Sequence, residues 1–363
     1  MKKATLIGMN TFLIMVALLS FACKGQTPST AATSEKSSIG RVVQKLDHRI
    51  WQVFEDKSGN YWFGSDSAGV FKFDGKSITQ YTIEDGLSSN QIRQIQEDKL
   101  GNMFFSTMGG INMFDGNTFS KLEPVVSTEW KLGKDDLWFQ VLGNTKLNGP
   151  FRYDGKTLYN LQFPSHPRNE ERIKQGINPF FGPYEVYSVY KDRKGHMWFG
   201  TSVLGACRFD GEKIEWMYEE DLTIVPAGGS FGIRSVFEDS RGDYWICNSQ
   251  QRFQFEQSNN PNSIDLKYTK TPGFGNKEIF KGEDRIYHQS VVEDKNGHLW
   301  FCNWTNGVYK YDGKNTINYK VEHEGKSAQI VSMCLDSKGT IWLGTNNAGA
   351  FRFVDGQFVP FEN

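Results

Sequence analysis

Several features are scarce in this sequence of 363 residues, and each scarcity argues against a class of protein. It has 5 cysteines and no Cys-x-x-Cys pair, which argues against a disulfide framework and a zinc site. Its 41 basic and 42 acidic residues nearly balance and no basic run occurs, so nucleic-acid binding has no electrostatic support. After residue 22 no apolar stretch approaches membrane-spanning length. No motif implies a cofactor.

Aromatic residues, at 14%, and glycine, at 37 residues, are instead abundant, as expected for many short strands and tight turns. Residues 50–81, IWQVFEDKSGNYWFGSDSAGVFKFDGKSITQY, predict four strands joined by three turns. A Gly-containing turn separates the first strand from an unbroken apolar run, which is typical of a strand buried on both faces. Asp74-Gly75 predicts a tight hairpin between the last two strands.

This unit recurs, which gives seven copies in all. Six of them carry a tryptophan in the second strand: Trp62, Trp138, Trp198, Trp245, Trp300 and Trp342. The six steps from Trp62 to Trp342 average about 47 residues, within the range of four-stranded propeller blades. We therefore predict an all-β fold over residues 46–363, a seven-bladed β-propeller with four antiparallel strands per blade. We expect the tryptophans to pack between blades.

Two parts of the predicted ring are less regular. Unit 3 is the most degenerate, and we assign residues 125–132 as its first strand. The seventh unit supplies its own fourth strand at residues 358–361. Closure by packing of blade 7 on blade 1 therefore fits the sequence, either alone or with residues 40–45 added to a blade edge.

The start of the chain predicts export. Residues 1–22 combine a basic start with an apolar stretch, as a signal peptide does. Their end and the next residue form Leu19-Ser20-Phe21-Ala22-Cys23, which resembles the lipobox of bacterial lipoproteins, whose cysteine is acylated. Ordinary cleavage at a small-x-small motif, Ser20-x-Ala22, also fits. We assign residues 23–45 as a lipidated Cys23 and a flexible linker, which predicts a bacterial cell-envelope protein facing the periplasm or the outer membrane, with the lipid as its only membrane attachment.

The aspartate that opens the first turn recurs in six units, as Asp56, Asp98, Asp192, Asp239, Asp294 and Asp336. Calcium loops are one interpretation, but each turn carries only that acid beside neutral or basic neighbours, and Ca²⁺ prefers several carboxylates. We predict that each aspartate caps its own turn. The four cysteines after Cys23 are predicted to be small core residues.

In series, the motif D-x-x-G-x-x-W-[FIL]-[GC] resembles the two-component regulator propeller repeat, over essentially everything after residue 45. In that family, seven such blades form part of the periplasmic sensor region of hybrid histidine kinases, for which carbohydrate fragments are often the signal. The sequence shows no kinase or receiver segment. The resemblance therefore implies a binding propeller and not signal transduction by this chain.

Loop lengths indicate where a ligand would bind. Long insertions follow the predicted fourth strands at residues 162–183, 217–230 and 269–285. They emerge on the face that also carries the loops between second and third strands, here called the loop face. At the channel mouth on this face we predict a ligand site: Trp51, Arg93, Tyr187, Arg234, Gln289 and Trp304. Such a mixture of aromatic, amide and guanidinium groups suits a polar ligand such as an oligosaccharide. A solvated rim with packing aromatics is the competing interpretation.

Together these patterns predict a non-catalytic, sensor-type propeller that binds a polar small molecule or oligosaccharide. One alternative is a scaffold that binds another envelope protein through its rim. A second is a propeller lyase resembling the streptogramin-inactivating enzymes, whose active sites are assembled from scattered residues. Of the six histidines, His196 and His298 lie in the tight turns on the other face, and the remaining four lack a neighbouring catalytic motif, which favours the binding interpretation.

Overall fold

A computed structural model describes residues 39–142, 148–174, 182–223, 232–256, 263–274 and 288–362. The predicted signal peptide, Cys23 and most of the linker lie outside these residues. The strands form seven small sheets, the blades of a seven-bladed β-propeller, so the predicted fold is confirmed. Innermost strands of neighbouring blades contact one another at five junctions: 1–2, 4–5, 5–6, 6–7 and 7–1.

Within each blade the strands are counted from the central channel outward. The innermost strands, in blades 1, 2, 4, 5, 6 and 7, are Ile50–Glu55, Ile92–Glu97, Val186–Lys191, Val236–Glu238, His288–Glu293 and Ile330–Leu335. The second strands, in blades 1 to 7, are Tyr61–Ser65, Met103–Thr107, Leu137–Phe139, Met197–Thr201, Tyr244–Ile246, Leu299–Asn303 and Ile341–Thr345.

The outer half of each blade is a second hairpin. The third strands are Val70–Phe73, Gly110–Phe114, Phe151–Tyr153, Ala206–Phe209, Gln251–Glu256, Gly307–Tyr311 and Ala350–Val354. The fourth strands are Ile78–Tyr81, Phe119–Leu122, Leu158–Leu161, Ile214–Met217, Lys267–Pro272, Thr316–Tyr319 and Gln357–Pro360. The other elements are the added strands Arg41–Val43 and Val125–Ser127, the small hairpin Glu322–His323 with Lys326–Ser327, the 3-10 helix Ile83–Asp85, and the helices Pro167–Lys174 and Glu220–Thr223.

The tryptophans of the repeat pack between blades, as predicted. Each ring centroid lies close to an aromatic ring of the following blade: Trp62–Phe105 at 5.5 Å, Trp138–Phe199 at 5.4 Å, Trp198–Tyr244 at 5.1 Å, Trp245–Phe301 at 5.1 Å, Trp300–Phe353 at 5.0 Å and Trp342–Tyr61 at 4.6 Å. All six tryptophans are buried. Because each blade buries its apolar face on the next, the core is a closed ring of interfaces.

The repeated aspartate caps its own turn, which confirms the prediction. Asp56 accepts hydrogen bonds from the backbone N–H groups of Ser58 at 3.0 Å and Asn60 at 2.9 Å, and from the indole of Trp62 at 2.8 Å. Equivalent backbone bonds occur at the other five aspartates, and four of these also hold the indole six residues on. One carboxylate thus fixes both the turn and the orientation of the tryptophan.

The ring closes by packing of blade 7 on blade 1, without a strand exchanged between them. The hydroxyl of Tyr61 donates to Asp336 at 2.8 Å, and Phe361 lies 5.2 Å from Phe63 and 5.4 Å from Trp342. Arg41–Val43, within the predicted linker, instead pairs antiparallel with the fourth strand of blade 1 and gives that sheet five strands. The ordered sheet therefore begins before residue 46.

Blade 3 departs from the prediction. The first strand assigned to residues 125–132 is wrong, because Val125–Ser127 lies at the outer edge of this blade, parallel to Leu158–Leu161. No innermost strand is present in blade 3 among the described residues, and side chains of blade 2 reach its inner edge instead. The Gln94 amide donates to the carbonyl of Trp138 at 3.1 Å and accepts from the N–H of Gln140 at 3.1 Å. A side-chain amide thereby satisfies the inner edge of the sheet.

The four cysteines after Cys23 have free thiols. Cys207, Cys247 and Cys302 are buried, as predicted for small core residues, and Cys334 is half-buried. Burial raises the pKa of Cys247 to about 11 and that of Cys302 to about 12, so both are protonated at neutral pH. In the part of the chain that the structure describes, no helix is long and apolar enough to cross a membrane.

Candidate ligand-binding site at the channel mouth

A β-bulge recurs at the loop-face end of the innermost strands. The register shifts by one residue at Trp51, Arg93, Tyr187, Gln289 and Val331. Arg234 takes the corresponding place in the sequence of blade 5, two residues before its innermost strand begins. These six residues are here called the bulge ring. A bulge leaves one residue out of the ladder and re-aims its side chain, so four of the six predicted site residues share one structural position and Arg234 is equivalent to them in sequence.

Arg93 and Trp51 meet on the side of the ring formed by blades 1 and 2. The guanidinium of Arg93 lies 4.2 Å from the ring centroid of Trp51. It also pairs with Asp66, Nη2 to Oδ1 at 2.7 Å, while Arg49 binds the other carboxylate oxygen. Arg93 and Asp66 are 8% and 4% exposed, so this pair is largely withdrawn from solvent, whereas Arg49 keeps 37% of its side chain exposed.

Two arginines on one aspartate give this part of the mouth a positive charge. Burial and repulsion from Arg49 lower the pKa of Arg93 to about 10, which still leaves the guanidinium protonated at neutral pH. The indole of Trp51 donates to Asn346 at 2.9 Å, and the Asn346 amide donates to Gln329 at 2.9 Å. A polar network therefore continues from blades 1 and 2 into blade 7.

Tyr187 and Arg234 form a second pair, between blades 4 and 5. The guanidinium of Arg234 lies 4.8 Å from the centroid of the Tyr187 ring. A β-carbon at Gly232 would come within 2.2 Å of that ring, so this glycine makes room for the tyrosine. Burial raises the pKa of Tyr187 to about 12, so the phenol is neutral at neutral pH. Arg234 is exposed, and its guanidinium has no ion pair or hydrogen bond among the described residues.

Gln289 and Trp304 lie in blade 6, where the adjoining residues 275–287 are outside the described part of the chain. Gln289 is at the bulge, and Trp304 directly follows the second strand, as Asp66 does in blade 1. Both side chains are half-buried. Among the described residues, no ion pair or ring contact joins them to the two arginine–aromatic pairs, so the structure brings together four of the six predicted residues as two pairs.

Sequence reasoning missed a second cavity on the loop face. It has a volume of about 540 Å³ and lies between blades 7 and 1, where Arg41, Lys45, His48, Gln80 and His323 contribute polar groups. Its signal in the sequence was weak, because Arg41 and Lys45 belong to the predicted linker and reach the cavity only through the strand added to blade 1. No cluster of three His, Cys, Asp or Glu side chains suited to a metal occurs in the described residues.

Comparison with known proteins shows which folds the chain resembles. No curated protein sequence matches the chain. The extracellular domain of the hybrid two component system BT4673 from B. thetaiotaomicron has a TM-score of 0.57 at 20% identity, over 86% of this chain and 39% of that one. The corresponding domain of BT3049 from the same organism has a TM-score of 0.58 at 17% identity, over 86% and 40%. The chain thus spans about two fifths of the length of these domains.

An enzyme shares the fold as well. Virginiamycin B lyase from Staphylococcus aureus has a TM-score of 0.58 at 13% identity, over 85% of this chain and 96% of the lyase. Structural similarity at such low sequence identity shows a shared fold and nothing more. That fold is the seven-bladed β-propeller. Residues 181–203 and 324–347 match the family described as Two component regulator propeller. The chain is therefore a propeller that carries two component regulator propeller repeats.

Proposed function

We propose that this chain is a non-catalytic, sensor-type propeller of the bacterial cell envelope that binds an acidic carbohydrate at the loop-face mouth of its channel. The observation that supports this most directly is Arg234. Its guanidinium is exposed, lies over the Tyr187 ring, and has no ion-pair partner among the described residues. A guanidinium that already lies over an aromatic ring is a suitable partner for a carboxylate, because little side-chain freedom is lost on binding.

The charge and the aromatic faces of the mouth point to the same ligand class. Arg49 and Arg93 share one carboxylate, Asp66, and Arg234 has no ion pair among the described residues, so these arginines outnumber the carboxylates that pair with them. Arg49 and Arg93 lie three blades away from Arg234, so a ligand that contacts both sides would span the mouth. An oligosaccharide with uronic acid groups offers carboxylates for the arginines and apolar sugar faces for the rings of Trp51 and Tyr187.

The cellular location is part of the proposal. We propose that residues 1–22 direct export, that Cys23 carries a lipid, and that residues 26–38 tether the propeller to a membrane leaflet. By random-coil scaling such a tether reaches roughly 20 Å. Support comes from the similarity to propellers described as extracellular domains.

The test is calorimetric titration of the purified protein with oligogalacturonate and, in parallel, with a neutral maltooligosaccharide of the same length. Removal of a hydrogen-bonded charge costs about 1.5–3 kcal/mol, so Arg234→Ala should weaken oligogalacturonate binding by roughly 10- to 100-fold. Arg352→Ala is the matched control, because Arg352 is exposed on the third strand of blade 7. Equal binding of both sugars, or equal loss in the two variants, would refute the proposal.

Arg93 is a poorer test residue than Arg234. Removing its guanidinium would leave the buried carboxylate of Asp66 with Arg49 alone, so lost binding could reflect a disturbed fold. The two alternatives remain outcomes of the same experiment. Turnover of the sugar would favour the lyase, and a protein partner bound through the rim without any sugar would favour the scaffold.

A further inference from the structure

A glutamate joins neighbouring blades on the face opposite the loop face, here called the turn face. The last residue of an innermost strand accepts a hydrogen bond from the first turn of the preceding blade. Four junctions have this arrangement, with N–H to carboxylate distances of 2.6 to 2.8 Å: Ser337 to Glu55, Lys57 to Glu97, Arg193 to Glu238 and Ser240 to Glu293. This contact is here called the glutamate latch.

The junction of blades 6 and 7 lacks the latch. The residue that ends the innermost strand of blade 7 is Leu335, at the position that glutamate occupies in the four junctions with the latch. The donor of the latch would be Lys295, which follows the capping Asp294 as Ser240 follows Asp239. The backbone N–H of Lys295 has no acceptor among the described residues, and its ammonium group is exposed.

A cavity of about 800 Å³ on the turn face is lined by residues of blades 4 to 7 and includes this junction. Phe237, Val292 and Leu335, from the innermost strands of blades 5, 6 and 7, give it apolar walls. Lys295 and Lys338 contribute ammonium groups to its lining. The volume falls in the range of ordinary small-molecule sites.

The acidic groups of this cavity already have partners. Glu293 accepts from Ser240 and pairs with Arg193 at 3.2 Å, in the latch of the neighbouring junction. Asp294 and Asp336 cap their turns and hold the indoles of Trp300 and Trp342. The two lysines of the lining have no carboxylate partner among the described residues.

We propose that this cavity binds a small carboxylic acid with an apolar body. Its carboxylate takes the place of the glutamate that Leu335 replaces, accepts the N–H of Lys295 and lies beside the Lys295 ammonium group. Its apolar part contacts Phe237, Val292 and Leu335. The site is on the opposite face from the bulge ring, so it does not depend on the function proposed for the channel mouth.

The direct test is to introduce a carboxylate into the protein at the position where the ligand carboxylate is proposed to bind. Leu335→Glu should form the latch with Lys295 and lower the affinity for the probe, hexanoate, by about tenfold or more, the effect of one charge-assisted hydrogen bond. Leu335→Met, which conserves volume, should change the affinity by less than about threefold. Unchanged hexanoate binding in a folded Leu335→Glu protein would overturn the proposal.

The chemistry of the probe provides a second test that needs no substitution at Leu335. Hexanoate should bind about tenfold or more tightly than hexanamide, which lacks the charge, and than acetate, which lacks the apolar body. Lys295→Met keeps the backbone N–H but removes the ammonium group, and it should weaken hexanoate by about tenfold. Equal binding of hexanoate and hexanamide, or no binding of either, would refute the site. Arg234→Ala should leave hexanoate affinity unchanged, and a loss there would assign the binding to the loop face instead.

Discussion

A hydrogen bond between blades should contribute measurably to the stability of the ring. The hydroxyl of Tyr244, in blade 5, donates to the carboxylate of Asp192, in blade 4, at 2.9 Å. Tyr244 is 5% exposed and the Asp192 side chain is fully buried. Burial, and then the charge of Asp192, raise the pKa of Tyr244 well above its usual value of 10.0, so the phenol is a neutral donor at neutral pH.

Replacing Tyr244 by phenylalanine removes this bond and keeps the ring that packs on Trp198. A hydrogen bond to a charged group contributes about 1.5–3 kcal/mol, so Tyr244→Phe should lower the free energy of unfolding by that amount. Tyr311 is the matched control. It is also 5% exposed, but its hydroxyl donates within blade 6 to the neutral carbonyl of Gly313 at 2.8 Å. Tyr311→Phe should cost about 0.5–1.5 kcal/mol.

The stability of both variants is measured by urea unfolding, monitored by tryptophan fluorescence. The urea concentrations at the unfolding midpoint can be compared directly if the dependence of the unfolding free energy on urea is the same in both variants. A double-mutant cycle with Asp192→Asn then isolates the coupling between Tyr244 and Asp192. If Tyr244→Phe cost no more than Tyr311→Phe, the bond between blades would add nothing beyond an ordinary hydroxyl contact, and the reasoning would be refuted.

Four further predictions concern the repeat and the predicted anchor. Trp300→Ala should lower the free energy of unfolding by about 3–5 kcal/mol in urea, because the indole fills space between blades 6 and 7; a loss below about 1 kcal/mol would contradict this. Since the turn aspartates accept from turn N–H groups, chelators and added calcium should leave the melting temperature unchanged, and a calcium-dependent shift would revive the calcium-loop interpretation. Burial raises the pKa of Asp239, Asp294 and Asp336, but hydrogen bonds from nearby side chains and turn amides outweigh it and hold each pKa below 3.8. Their stabilisation is therefore fully present above pH 3.8 and should be lost as the pH falls through the lower folded-state values, whereas stability independent of pH in that range would contradict it. Cys23→Ala should release the protein from the membrane fraction, and a soluble wild-type protein would show that Cys23 is not lipidated.

Much of the fold could be predicted because the repeat is built from local contacts. The aspartate, the turn amides and the indole that it holds lie within six residues of one another, so one stretch of sequence encodes the whole arrangement. Blade 3 shows where this fails. Its aspartate, Asp136, is two residues before Trp138 and pairs with Arg152 at 2.5 Å, and the indole N–H has no partner among the described residues. Without this local signal, the sequence predicts an inner strand at residues 125–132, whereas Val125–Ser127 lies at the outer edge of the blade.

The places of the candidate residues in the fold were predictable, but their contacts were not. Residues that open the innermost strands lie at the channel mouth in any propeller of this kind, and the register shift then aims them in a common way. The partners come from distant parts of the sequence. Asp66 withdraws Arg93 from the surface, and the indole of Trp51 donates to Asn346, a residue of blade 7. Arg234 stays exposed, a difference between two arginines at equivalent positions that the sequence does not reveal.

The number of blades, the turns and the tryptophan interfaces can be predicted from the sequence, because periodic apolar strands and capped turns depend on residues that are close together in the chain. The sheet edges that receive Arg41–Val43 and Val125–Ser127, the arginine that is paired, and the blade junctions that carry the glutamate contact emerge only from the folded ring. Edge pairing uses backbone groups that every residue carries, and ion pairs join residues of different blades. Edge pairing and ion pairs between blades therefore leave no local pattern in the sequence, and both are established only when the ring has closed.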